Sequence, residues 1–129
     1  MLRNQQGFTL IEIIAVLVIL GILAAVAVPK YLDMATEAKN QAAQGQVAEM
    51  KSTLNLAYAK YFMREATAPT GAQAVTEAGF TSGTAATVGT TPDDWDVTLT
   101  AAGDVVTIDV NDRNGDTAYT ATGTWNVPD

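Results

Sequence analysis

Residues Gly7–Glu12 read GFTLIE, and an apolar run from Ile13 to Val28 follows them directly. The 21 residues from Phe8 to Val28 would form a helix about 31 Å long at ~1.5 Å per residue, close to the ~30 Å hydrocarbon core of a bilayer. Glu12 is the one charged residue between these two ends. The stretch therefore predicts a membrane-spanning helix with a carboxylate close to its start.

Three interpretations of this N-terminus compete. A cleaved secretory signal has an apolar core of about 7–15 residues, and this run is longer. A plain membrane anchor gives no reason for Glu12, since a carboxylate in a spanning segment costs roughly 2.5–3.5 kcal/mol on insertion scales. Cleavage between Gly7 and Phe8 supplies a partner, because it frees an α-amino group on Phe8, four residues from Glu12. The new ammonium and the positive end of the helix dipole can then neutralise the carboxylate. Both charges are equally available to an adjacent copy of the chain, so the pairing can set the register between copies.

The motif Gly7–Glu12, the apolar helix with Gly21, and the following Pro29 resemble the type IV prepilin family, which includes the type II secretion pseudopilins. The resemblance runs through the helix to about Phe62 and is only architectural beyond it. It implies that the segment between Gly21 and Pro29 can lose regular helix in such filaments. A close helix-packing point is an equally good interpretation of Gly21.

The resemblance also implies a processing pathway and its partners. A membrane prepilin peptidase would cut after Gly7 and N-methylate Phe8, and Glu12 would then pair with the N-terminal amine of a neighbouring subunit. The expected partners are identical subunits in a helical homopolymer, membrane lipid before assembly, and an inner-membrane assembly platform with a separate ATPase. The precursor would lie in the inner membrane and the product in an extracellular filament at the cell surface.

The remaining sequence predicts an α+β fold in which a long N-terminal helix packs against a small C-terminal antiparallel sheet of about three strands. Apolar residues at helical spacing form one stripe, and Tyr58, Tyr61 and Phe62 are expected in the core beneath the sheet. The helix is expected to end between Arg64 and Thr67, because Pro69 follows. The stripe consists of Val47, Met50, Leu54, Ala57 and Tyr61.

Beyond the helix, a short helical turn is expected around residues 72–78, and the period changes to two from Trp95 onward. Two strands are expected on either side of a turn at residues 101–104, and a third within Thr117–Trp125. The predicted segments are a leader (1–7), a transmembrane and assembly helix (8–29), an amphipathic helix (30–66), a connecting loop region (67–94) and a sheet region (95–129).

Composition limits the chemistry that the chain can perform. It contains no His and no Cys, which excludes histidine acid–base catalysis, cysteine nucleophiles, ordinary zinc sites and disulfides. No cofactor and no enzymatic activity are therefore expected. Residues 66–129 carry nine acids and one base, Arg113, a net charge of −8. This charge argues against direct binding of nucleic acid, whose phosphates are contacted mainly by Lys and Arg.

One acidic loop is a weak calcium candidate. Asp112, Asn114 and Asp116 offer three oxygen side chains around Gly115, the type of ligand that Ca²⁺ uses. The spacing fails the template of a calcium-binding helix–loop–helix, and a hairpin turn at Asn114-Gly115 explains the same residues without metal.

The sequence thus predicts the major subunit of a type IV pilus-like filament. A type II secretion pseudopilin is the alternative within the family. A membrane-tethered binding module that does not polymerise is the alternative from another class, and Glu12 has no purpose in such a tether.

Overall fold

The computed structural model describes residues 7–90 and 92–129, so most of the expected leader (1–7) lies outside the described residues. The chain divides into two units, the first ending at Thr36 and the second running from Glu37 to Asp129. The long helix α1 (Leu10–Glu65) contributes to both. It continues through Gly21 and Pro29, so the loss of helix between them stays a prediction about the assembled filament.

The end of α1 confirms the expected boundary. Its last residue is Glu65, and Ala66 adopts a left-handed conformation with φ 54°. The Ala66 amide donates to the Phe62 carbonyl at 2.8 Å, which satisfies one of the carbonyls that every helix end leaves without a partner.

The short helix α2 (Gly71–Glu77) lies where a helical turn was expected. Thr70 caps it: its side chain accepts from the Gln73 amide while the Gln73 side chain accepts from the Thr70 amide, a capping box that satisfies two donors at once. Gly71 fits against the turn that contains Gly103, since a Cβ there would lie 2.6 Å from the Gly103 carbonyl oxygen. The close packing of α2 on the sheet thus requires glycine at this position.

Within the described residues, four antiparallel strands form one sheet in the sequence order β1-β2-β3-β4. The strands are β1 (Ala85–Val88), β2 (Trp95–Ala102), β3 (Val105–Arg113) and β4 (Ala121–Asn126). The expected α+β fold is confirmed, with one strand more than the three predicted. The extra strand is β1, which lies in the region predicted as a connecting loop and pairs with β2 from Ala85↔Thr98 to Val88↔Trp95. Its sequence AATV contains one large apolar residue, so the alternation that marks a strand is too weak to detect.

The core of the second unit lies between one face of the sheet and α1. The predicted stripe is buried at Val47, Met50, Leu54 and Ala57, whereas Tyr61 is only half-buried. Phe62 was expected in the core, but it is 48% exposed and stacks on Tyr58 at 6.2 Å between ring centroids. The sheet and α2 contribute Val97, Leu99, Val106, Ile108, Val110, Trp125, Ala74 and Val75.

Strand β4 lies especially close to α1. A Cβ at Gly123 would lie 2.4 Å from Val47 Cγ1, so glycine permits the close approach of strand and helix. Two residues further along, Trp125 Nε1 donates to Asn55 Oδ1 at 2.7 Å. This bond satisfies the indole donor and fixes the position of β4 along α1.

Candidate functional site

The start of α1 is a capping box built from two residues of the motif. Thr9 Oγ1 accepts from the Glu12 amide at 3.3 Å, and Glu12 Oε2 accepts from the Thr9 amide at 3.4 Å. Thr-x-x-Glu is the spacing that allows this exchange, because the first residue caps the helix and the fourth reaches back. From the sequence, the partner expected for Glu12 was the Phe8 ammonium; this capping bond was missed, although the spacing Thr9-Leu10-Ile11-Glu12 signals it.

Phe8 and Gly7 precede this cap. Neither residue is helical and both are exposed, with Phe8 80% exposed. The Gly7–Phe8 peptide bond thus lies in non-helical backbone one residue before the helix cap. Accessible, non-helical backbone is the kind of segment that proteases cleave most readily.

The helix that follows presents apolar side chains to its surroundings on every side. Every described residue from Gly7 to Met34 is exposed. Leu10 and Ile11, which flank the cap, are 77% and 75% exposed. α1 is long and apolar enough to cross a membrane, and the residues of its most apolar stretch are not buried within the chain. A helix that is apolar all round needs lipid or other protein around it.

Glu12 is therefore a carboxylate at the capped end of an otherwise apolar cylinder. The cap uses its Oε2 atom, and Oε1 has no hydrogen bond among the described residues. The neighbouring residue types, Leu10 to Val16, are apolar or small. Any further partner for the carboxylate has to come from outside this helical stretch.

The two other residues singled out in this helix are Gly21 and Pro29. A Cβ at Gly21 would meet no atom of the described residues within 4 Å, so packing within that part of the chain does not require glycine there. Pro29 lies inside α1 without ending it, even though its ring removes one hydrogen bond of the helix. Both residues are thus accommodated within a continuous helix.

The acidic loop is a tight hairpin turn between β3 and the segment before β4. Asn114 and Gly115 have φ of 50° and 78°, the left-handed pair that an Asn-Gly turn of type I′ requires. The Gly115 amide donates to Asp112 Oδ1 at 2.9 Å. Asp116 accepts from the Ala118 amide at 2.9 Å and pairs with Lys39 at 2.7 Å. Two of the three candidate calcium ligands thus already serve the turn, and calcium binding there stays untested.

Lys39 links α1 to this hairpin. The hydrogen bond from Lys39 holds the pKa of Asp116 below its usual range, and Asp116 in turn raises the pKa of Lys39. The Lys39 ammonium also lies 5.1 Å from the centroid of the Tyr119 ring, and the Arg113 guanidinium lies 5.6 Å from the same ring. Lys39 therefore connects the turn to the helix, whereas Arg113 contacts Tyr119 within the hairpin region itself. Among the residues the structure describes, no group of three or more Asp or Glu side chains is arranged to hold a metal ion.

A second ionic cluster joins α1 to α2. Arg64 and Lys60 contact the two carboxylate oxygens of Glu77 at 2.8 and 2.9 Å, and the Glu77 side chain is only 11% exposed. The hydrogen bond from Arg64 is the main cause that lowers the pKa of Glu77, and the bond from Lys60 adds to it. Sequence reasoning missed this cluster because its members lie 13 and 17 positions apart.

Comparisons with known proteins give a family match that includes the capped start of α1. The family described as the prokaryotic N-terminal methylation motif matches residues 2–28. The chain is 46% identical over 54 residues to the type II secretion system core protein G of Pseudomonas aeruginosa, covering 42% of this chain and 38% of that protein. It is 42% identical over 56 residues to the type IV major alpha-pilin of Moraxella bovis, covering 43% and 35%. These two matches thus span little more than a third of each relative's length.

A longer match extends beyond the helix. The chain is 40% identical over 82 residues to the type IV narrow pilus major component of Thermus thermophilus, covering 62% of this chain and 67% of that protein. Only 65 residues of this chain precede the end of α1, so a match of this length includes residues from the second unit beyond the helix. No solved structure gives a significant match to the chain.

Proposed function

The chain belongs to the type IV pilin family, and on that premise we propose that it is the major structural subunit of a type IV pilus-like extracellular filament. The observation that carries this proposal is the capped, wholly exposed apolar helix with Glu12 at its start. A membrane stores such a helix in the precursor, and the helices of other subunits cover it in the filament. The folded second unit, with its acidic sheet side, then forms the outside.

Processing at Gly7–Phe8 prepares the subunit for this exchange. A membrane prepilin peptidase removes the leader and methylates the new amine of Phe8. The inner-membrane assembly platform and its separate ATPase then extract the subunit. A structural role needs no cofactor. Mass spectrometry of the mature subunit should give a chain that begins at Phe8 with about 14 Da added for one methyl group. A mature chain that retains Met1 or starts elsewhere would contradict this processing.

Glu12 neutralises the ammonium of the incoming subunit during assembly. Each added subunit brings a Phe8 ammonium into the apolar centre of the filament, and leaving one member of a buried ion pair uncompensated costs roughly 3–5 kcal/mol. The Thr9 amide occupies Oε2, and the carboxylate has a second oxygen for the ammonium. The same penalty recurs at every addition, so a subunit without the charge fails to incorporate.

Three substitutions separate the charge of Glu12 from its capping role. Glu12→Gln keeps an acceptor that a capping box can use but removes the charge, and we expect it to lose fibres as severely as Glu12→Ala. Thr9→Ala removes the capping hydroxyl, worth about 1 kcal/mol, but keeps the charge, and we expect a much smaller loss. All three proteins should insert into the membrane normally, because neither glutamate variant adds a charge there.

The measurement is the number of sheared surface fibres at matched membrane levels of subunit. Fibre numbers for Glu12→Gln that equal those of wild type would disprove the pairing, and a loss with Thr9→Ala equal to that with Glu12→Ala would assign Glu12 to capping alone. Wild-type cells that carry the subunit only as a membrane monomer would instead support a tethered binding module.

A type II secretion pseudopilin is the second candidate, favoured by the 46% identity to core protein G. That match covers 54 residues, no more than the length of α1 itself. The match to the narrow pilus component is longer, at 82 residues, and this difference favours the pilus. Long fibres on the surface at normal expression levels support a pilus, whereas secretion failure without surface fibres in a deletion strain supports a pseudopilus.

A further inference from the structure

The face of the sheet that points away from α1 carries short polar side chains at its centre. Side chains alternate between the two faces of a strand, and Val106, Ile108 and Val110 of β3 are buried, so the residues between them lie on the outer face. The outer residues of the three central positions on β2, β3 and β4 are all Thr, Asp or Asn. They are Thr98, Thr100, Thr107, Asp109, Asn111, Thr122 and Thr124.

Part of this face forms an open groove of about 540 Å³ that is lined by β2, β3 and the start of β4. Its volume falls in the range of ~300–1,000 Å³ that is typical of small-molecule sites. We call it the polar groove, because five of its lining residues carry a hydroxyl, amide or carboxylate group. These are Thr98, Asp109, Asn111, Thr120 and Thr122.

A β-bulge places Asn111 in the polar groove. Val97 pairs with Val110 and Asp96 pairs with Asp112, so Asn111 is one extra residue in β3 without a partner in β2. Bulges of this kind redirect a side chain and are over-represented beside active sites. Asn and Asp are also depleted in strands, so strand formation does not account for these residue types.

Hydrogen bonds within the polar groove hold its side chains and leave some of their polar atoms available. Asn111 Nδ2 donates to Thr98 Oγ1 at 3.0 Å, and Thr122 Oγ1 donates to Asp109 Oδ1 at 2.8 Å. Among the described residues, Asn111 Oδ1 and Asp109 Oδ2 accept no hydrogen bond, and the hydroxyls of Thr98 and Thr120 donate none. The groove thus offers an amide oxygen and a carboxylate oxygen as acceptors and two hydroxyls as donors.

The charge and the donor set of the polar groove select its ligand. Asp109 is the one charged residue among the described residues that line it, so phosphates and acidic sugars are repelled. A single ammonium would satisfy acceptors only and would leave the Thr98 and Thr120 hydroxyls without a partner. A neutral sugar fits both kinds of group, because each of its hydroxyls donates and accepts.

We propose that the polar groove binds a neutral carbohydrate. Sugar hydroxyls donate to Asp109 Oδ2 and Asn111 Oδ1, and the hydroxyls of Thr98 and Thr120 donate to sugar oxygens. A hydrogen bond to a carboxylate is about twice as strong as one between neutral groups, so Asp109 makes the main contact. The inference does not depend on the proposed filament, because the groove lies entirely within the second unit. In a filament, each copy would add one groove, and contacts to one polysaccharide would reinforce one another.

Ligand-observed NMR with saturation transfer tests the site on the full-length subunit, in a detergent without a sugar headgroup. The probes are the neutral trisaccharides cellotriose, mannotriose, galactotriose and triacetylchitotriose. We expect at least one of them to bind saturably with a Kd below about 1 mM. The absence of such binding for all four would overturn the proposal.

Matched substitutions test whether the sugar lies in the polar groove. Asp109→Asn keeps an acceptor for the Thr122 hydroxyl but removes the charge, and Asn111→Ala removes the amide. We expect each to weaken binding about tenfold. Thr100→Val keeps the side-chain size on the same face outside the groove and should bind like wild type. Unchanged affinity in both groove variants, or an equal loss with Thr100→Val, would overturn the proposal. Unfolding midpoints from tryptophan fluorescence verify that all three variants are folded.

Salt dependence distinguishes a neutral ligand from a cation. The affinity for the bound trisaccharide should stay the same between about 50 and 500 mM NaCl, because screening acts only between charges. The de-N-acetylated form of triacetylchitotriose has the same sugar rings but carries three ammonium groups. Binding of this cationic trimer alone, with a tenfold loss of affinity over the same salt range, would assign the groove to cations and overturn the proposal.

Discussion

The same residue type has opposite surroundings in the two units of this chain. Leu17 in the first unit is 62% exposed, whereas Leu54 in the second is fully buried, although both lie in the one helix α1. The sheet of the second unit covers the apolar stripe of that unit, whereas the large apolar side chains of the first unit are exposed. Sequence hydrophobicity alone therefore does not tell whether an apolar face is covered from within the chain or from outside it.

The largest expected effect tests this contrast directly. Leu54→Ala should lower the free energy of unfolding of the second unit by about 2–5 kcal/mol, because it leaves a cavity in a packed core. Leu17→Ala makes the same chemical change on an exposed side chain and should alter that free energy by less than ~0.5 kcal/mol. Denaturant unfolding of the detergent-solubilised full chain, followed by tryptophan fluorescence, measures both. The two tryptophans, Trp95 and Trp125, belong to the second unit, so the signal reports that unit alone.

A loss of stability with Leu17→Ala as large as with Leu54→Ala would contradict the contrast, since it would make the first helix part of the folded core.

Substitutions of glycine in the two units should have effects of intermediate size on the free energy of unfolding. Gly123→Ala should destabilise the second unit by about 1–3 kcal/mol, because the new Cβ would lie 2.4 Å from Val47 Cγ1. Gly21→Ala places its Cβ in open space and should leave the tryptophan transition unchanged. A Cβ at Gly45 also meets open space, but this residue lies in the part of α1 that belongs to the second unit. Gly45→Ala should therefore raise the free energy of unfolding of that unit by up to ~1 kcal/mol, because alanine favours the helix more than glycine does. An unchanged transition midpoint for Gly123→Ala would show that β4 moves away from α1 at no cost.

The smallest effect concerns pH. Arg64 and Lys60 lower the pKa of Glu77 below its ordinary value of 4.5. A group whose pKa is lower in the folded than in the unfolded state stabilises the fold above the unfolded value and loses that contribution as pH falls through the folded value. Thermal unfolding of the second unit should thus begin to shift to lower temperature as pH drops below about 4.5. Glu77→Gln should make the melting temperature depend less steeply on pH. Some dependence should remain, because the pKa of Asp116 is also lowered in the folded chain. An unchanged slope in Glu77→Gln would mean that the cluster does not stabilise the contact of α2 with α1.

Sequence patterns predicted the features that repeat along the chain. The stripe from Val47 to Ala57 is buried, and the turn at Asn114-Gly115 forms as expected. Strand β1 was not predicted, because a short edge strand of mostly small residues can form without alternating large side chains. Phe62 was placed in the core on spacing alone, but the sheet does not cover that side of the helix.

The residues at the start of α1 were singled out from the sequence, and their roles in processing and assembly stay predictions. The role of Glu12 was inferred from its lone charge, and the cap from Thr9 was missed. The contacts of Lys39 with Asp116 and of Asn55 with Trp125 join residues 77 and 70 positions apart, and no local pattern carries such pairings.

The order of the strands also determines how the second unit can fold. Each strand pairs with the strands next to it in the sequence. Every pairing therefore closes a short loop, and the chain entropy lost on loop closure is small. The step that closes a long loop is the docking of β4 on α1, where the Asn55–Trp125 bond joins residues 70 positions apart. We therefore expect the hairpins to form first and the docking on α1 to limit the folding rate. Since the chain has no Cys, this order is independent of any oxidant.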